Sequence, residues 1–126
     1  MNWYIISAGL ISTFTTLGHF AVGGKEYLNP MLSAEFEAVP KKVMHAVFHY
    51  VSVYLILSSL ALLATGFGLL PGAQAQLLIR FIALNYAAFA IWQMIIALGS
   101  NINQPLIKMF QWVFFVVIAV TAWLSA

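Results

Sequence analysis

The sequence predicts an all-α integral membrane protein, a four-helix bundle of transmembrane helices running up-down-up-down. Three observations carry that prediction. Hydrophobic residues make up 63% of the 126-residue chain and charged ones 6%, against about a quarter charged in soluble domains. The apolar residues gather into four runs, each near or above the ~20 residues that cross a hydrocarbon core of ~30 Å. Gly and Pro cluster between the runs. No alternation of apolar and polar residues marks barrel strands, so the runs are read as helices whose backbone hydrogen bonds close internally. The length fits one domain, residues 1–126.

Segment one covers residues 3–23. Residues 1–18 hold no Lys or Arg, so the run lacks the basic start of a cleaved signal and is expected to be retained. Gly23-Gly24 and Asn29-Pro30 are expected to end it. A long loop, residues 24–41, follows; it mixes apolar and acidic residues and suits either a connector or a short interfacial helix over the mouth of the bundle. Segment two, residues 42–69, begins just after Pro40, whose fixed φ and missing N–H suit a helix start. Gly66, Gly68, Pro71 and Gly72 predict a tight turn into segment three, residues 75–98. Gly99-Ser100-Asn101 and Pro105 predict another before segment four, residues 105–125.

Four crossings place both termini on one side, B, and loops 24–41 and 99–104 on the other, A. Side A carries Lys25, Lys41, Lys42 and Lys108; side B carries Arg80, expected to snorkel to the interface. The excess of basic residues predicts that side A is cytoplasmic and both termini are outside. The expected location is a bacterial inner membrane or its equivalent. Trp3, Trp92, Trp112 and Trp123 lie toward span ends, as an interfacial aromatic belt requires.

Helical spacing aligns the polar residues. Ser12, Thr15, Thr16 and His19 share a face of segment one, and His45, His49, Ser52 and Ser59 a face of segment two. Gln104, Lys108 and Gln111 share one on segment four, while segment three offers Gln93 near side A, with Asn85 and Tyr86 deeper. Such faces turn away from lipid, which predicts a polar cavity at side A lined by Gln93, Gln104, Gln111, Ser52 and Thr16. Each of these hydroxyls and amides also has a plain role as inter-helix glue.

The three histidines are the only ones in the chain, and all are expected at side A. His45 and His49 are four apart, so both rings can face one point. His19 ends segment one on the same side, and Glu26 follows. His19, His45, His49 and Glu26 therefore form a candidate metal site; without sulfur ligands the choice among Zn, Fe, Cu and Mn stays open. Haem held by two imidazoles fits less well, because no arginine is placed to bind propionates. A histidine at the interface, next to Phe20 or Phe48, also fits an amphipathic residue bonding to lipid headgroups, without any ligand.

Composition excludes several classes. The chain has no cysteine, which removes disulfides, thiolate metal sites and cysteine nucleophiles. Its three carboxylates are Glu26, Glu35 and Glu37, with no Asp, so no Ser-His-Asp triad can form. No basic cluster suits nucleic acid. Four functions remain: a site for a metal ion or small hydrophobic ligand, an accessory subunit packed on a larger membrane partner, a metal-dependent enzyme acting on a lipid-like substrate, or a small oligomeric transporter. Ala87, Ala88, Ala90 and Gly66 would permit close contact with a partner or a second copy. In length and span number the chain resembles the small multidrug transporters. That family relies on a Glu inside the first helix, and here His19 would have to take its part.

Overall fold

The computed structural model describes residues 1–70 and 72–126, and Pro71, expected in the turn after segment two, lies outside them. Helix α1 (Trp3–Ser33) is continuous in three parts: a regular helix over Trp3–Gly18, a wider π segment over His19–Leu28, and a regular turn over Asn29–Ser33. Then come α2 (Ala38–Gly66), α3 (Ala73–Leu98), a short α4 (Pro105–Lys108) and α5 (Gln111–Ser125). Three of these, α1, α2 and α3, are long and apolar enough to cross a membrane. The apolar helix in the fourth segment is shorter.

Local chemistry explains the ends. Asn2 caps α1, its side-chain oxygen accepting from the amides of Tyr4 at 3.0 Å and Ile5 at 3.2 Å. Its own N–H donates to the Gly66 carbonyl at 2.9 Å, tying the start of α1 to the end of α2. After Gly66 the Leu69 amide reaches back to Ala64 and the Gly68 amide to Thr65, at 2.9 and 3.0 Å. That paired closure needs a left-handed residue, and Gly68 supplies it with φ +82°.

Two expected boundaries moved. Gly23-Gly24 does not end the first helix; the chain widens into π turns and stays helical to Ser33, so that residues 34–37 alone separate α1 from α2. A π turn reaches one residue further for its hydrogen bond and absorbs the register change that a break would otherwise make. Segment four is not one helix. The backbone turns left-handed at Gln104 (φ 52°), forms α4, and leaves helical geometry at Met109 (φ −105°, ψ 68°) before α5 begins. Segments two and three start a few residues earlier than expected, at Ala38 and Ala73.

Helix α1 packs closely against α2 and α5, and α5 against α3. The α2–α3 side of the ring is wider and is bridged by large side chains, with the Tyr54 and Tyr86 rings 5.7 Å apart and Tyr54 5.2 Å from Phe89. At end B, α1 and α2 nearly touch. A methyl group built on Gly66 would sit 2.9 Å from the Ile6 backbone nitrogen, and one on Gly9 would sit 2.8 Å from a Leu63 methyl.

Several serines are buried while many large apolar side chains face outward. Ser12, Ser52, Ser58 and Ser59 are buried, whereas Leu57, Leu60 and Leu77 are exposed. Hydroxyls inside and leucines outside are what a lipid surround selects. The bundle centre holds a hydroxyl network. Tyr86, fully buried, bonds Ser12 at 2.8 Å and Ser58 at 2.7 Å, and Ser12 bonds Ser59 at 2.7 Å. It joins α1, α2 and α3 within the core, where Ile5, Leu55, Leu62, Ile79 and Ile118 surround it.

Candidate functional site

The π segment of α1 begins at His19 and faces α2. Its imidazole Nε2 lies 2.8 Å from the Ser52 hydroxyl, and the ring stacks on Phe48 with centroids 4.1 Å apart and planes 18° from parallel. The His49 Nδ1 meets the same hydroxyl at 3.3 Å, and Ser52 donates to the Phe48 carbonyl at 3.1 Å. When the Ser52 proton is so directed and His19 carries its proton on Nε2, the Ser52 oxygen accepts from Nε2–H and Nδ1 is the ring's remaining acceptor. His45 lies beside His49, ring centroids 5.2 Å apart.

His19 and His49 thus meet through Ser52, with His45 beside His49, rather than all three around a common point. Among the described residues, no three His, Asp or Glu side chains converge closely enough to hold one metal ion. The reason is local: the nitrogens that His19 and His49 turn toward each other are both spent on the hydroxyl between them. Glu26 is exposed on the π segment.

A cavity of about 390 Å³ opens beside His19, between α1, α2 and α5. Five phenylalanines line it, Phe14, Phe48, Phe110, Phe114 and Phe115. Gly18 and Gly23 form its α1 face, and Thr15, His19, Tyr27 and Gln111 are its polar lining residues. No Lys, Arg, Asp or Glu lines it. There is open space beside Gly18, where an added methyl group would meet nothing within 4 Å, so a large side chain at this lining position has room to enter the cavity.

Both departures from regular α-helix border this cavity. Gly18 to Tyr27 come from the π segment and its entrance, and Phe110 and Gln111 from the break before α5. Carbonyls near that break find side-chain donors. The Trp112 indole N–H donates to Leu106 at 2.9 Å, while the Gln93 amide reaches Met109 at 3.4 Å and the Gln111 Oε1 at 2.6 Å. Irregular backbone is tolerated at membrane depth where protein supplies such partners or where it lines a cavity. Trp112 supplies one of these donors.

Of the residues expected to line a polar cavity, Gln111 does so and Gln93 holds it in place. Ser52 stands behind His19 as the shared acceptor. Thr16 is buried in the core network, donating to the Ser12 carbonyl at 2.8 Å, and the neighbouring Thr15 takes the cavity position. Gln104 is exposed at the left-handed turn. The cavity is therefore mainly apolar, and its aromatic wall was not singled out by a search for polar stripes. Phe110 and Phe114, one turn apart on the fourth segment and opposite Gly18 and Gly23, were the available signal.

No family model, curated protein or solved structure matches the chain.

At end B, the Arg80 guanidinium lies 5.8 Å from the Trp123 ring and 3.5 Å from the Ala126 carbonyl. Lys41, at end A, sits 5.3 Å over the Phe36 ring.

Proposed function

We propose that this small membrane protein binds a hydrophobic small molecule, drawn laterally from the bilayer, in the cavity walled by His19. The observation that carries the reading is the coincidence of three features at one place. A roomy apolar cavity, a π segment and a helix break all meet beside a half-buried imidazole. Ligand sites are mostly apolar with a few fixed polar groups, and Thr15, His19, Tyr27 and Gln111 supply them here. In this reading the fourth segment also crosses, giving a four-span bundle. Its A end, with Lys25, Lys41, Lys42 and Lys108, faces the cytoplasm of a bacterial inner membrane or its equivalent.

The test is chemical. Protein captured in lipid nanodiscs is extracted and its apolar small molecules are compared with those from Gly18→Phe. The wild type is expected to retain a compound that the filled variant loses. Identical extracts would sink the reading.

A second reading rests on the His45–His49 pair, whose 5.2 Å ring separation suits two imidazoles on one transition metal. Further ligands would come from solvent, lipid phosphate or a second copy of the chain. Elemental analysis decides it: near-stoichiometric Zn, Fe, Cu or Mn lost in His45→Ala/His49→Ala supports the site, and trace metal in both proteins removes it.

A further inference from the structure

Resting on the ligand reading above, we propose that the cavity takes a single-chain amphiphile. Its uncharged, hydroxyl-bearing head lies against His19 and Gln111, and its tail lies in the groove between α1 and α5.

The head is argued from the lining. A charged group would be buried without any counter-charge, because the cavity wall has none. Two hydrogen-bonding functions are offered instead. In the tautomer that donates Nε2–H to Ser52, His19 Nδ1 is the free acceptor; it faces the Gly23 wall, where an added methyl group would come within 3.9 Å of it. The Gln111 oxygen is taken by Gln93, which leaves its amide N–H groups as donors. An acceptor on α1 and a donor on α5, lining one cavity, suit a hydroxyl, which is both.

The tail is argued from continuity. A second hollow of about 420 Å³ is lined by Leu10, Ile11, Phe14, Val113, Phe114 and Val117, all apolar. It shares Phe14 and Phe114 with the first, and those two rings stand 6.0 Å apart between the two hollows. Leu10 lies about 13 Å along α1 from His19. A slender linear chain that follows the groove past the two rings would fill both hollows.

Equilibrium binding of radiolabelled farnesol, a prenyl alcohol, to the full chain in nanodiscs tests this, with empty nanodiscs subtracted. Geraniol is the shorter alcohol, farnesene the tail without a hydroxyl, and farnesyl diphosphate the same tail with a charged head. Wild type should prefer farnesol to farnesene and to farnesyl diphosphate by about tenfold, the worth of a buried hydrogen bond. His19→Phe should abolish the preference over farnesene. Val117→Trp and Leu10→Trp should each weaken farnesol about tenfold while sparing geraniol, and Leu57→Trp, on the outer face of α2, should change nothing.

Equal binding of farnesene or farnesyl diphosphate overturns the assigned head, and unchanged farnesol binding in both groove variants overturns the assigned tail. In either case loss of all binding in Gly18→Phe keeps the cavity as the site. If Gly18→Phe and Gly18→Leu bind every probe as wild type does, the ligand reading falls with the proposal.

Discussion

At the residue scale, two tyrosines that look alike in sequence have opposite standing. The Tyr86 hydroxyl is shared between Ser12 and Ser58, whereas the Tyr54 hydroxyl is buried with no partner. Tyr86→Phe removes two bonds, but Ser12 keeps Ser59 and Ser58 keeps the Leu55 carbonyl. The expected cost is roughly 1–2 kcal/mol, within the range of inter-helix bonds in membranes. Tyr54→Phe deletes an unsatisfied buried group and should be neutral or slightly stabilising. Unfolding of the two variants in mixed micelles separates them, and equal losses would contradict the network. The sequence placed Tyr86 deep on segment three. It could not tell which tyrosine was bonded, because that depends on where Ser12 and Ser58 of other helices stand.

At the scale of elements, glycine does two unlike things. Gly66 lets α2 approach the α1 backbone, and Gly66→Ala would drive a methyl group against Ile6, so the helices must part. A loss of about 1–3 kcal/mol in thermal or denaturant unfolding is expected. Gly18→Ala meets nothing and should hold or gain up to about 1 kcal/mol from helix propensity. Each glycine thus serves as the other's control. The break before α5 carries its own prediction. Trp112→Phe strips the donor from the Leu106 carbonyl, and amide exchange over residues 105–111 should quicken while that of α2 does not change. Sequence reading gave Pro105 as a helix start correctly, but the interruption at Met109 was not visible. Met and Phe are ordinary helix residues, and the stop is made tolerable by Gln93 and Trp112, one from a neighbouring helix and one from the next turn.

At the scale of the molecule, the fourth segment decides the topology. Helix α5 has 15 residues, about 22 Å of helix, short of the ~30 Å core unless α4 and the break contribute. The bundle nevertheless sets Asn2, Thr65 and Ala126 around one hollow at end B. With end A in the cytoplasm, as proposed above from its lysines, a C-terminal alkaline phosphatase fusion is expected to be active and a C-terminal green fluorescent fusion dark, with the opposite result for insertions at residues 34–37. A dark insertion at residues 34–37 paired with a bright C-terminus would reverse the orientation. Matching compartments for the C-terminus and residues 34–37 would mean three crossings.

Helical secondary structure and runs long and apolar enough to cross a membrane follow from the sequence alone. These are sums over many residues, hydropathy along the chain and a 3.6-residue period, and a few local exceptions do not alter them. Three things needed the tertiary structure: that His19 and His49 share Ser52 instead of converging, that the first helix continues as a π segment, and that the cavity is walled by phenylalanines. A phenylalanine facing lipid and one facing a cavity have the same hydropathy. Only the packing of α1, α2 and α5 against one another distinguishes them.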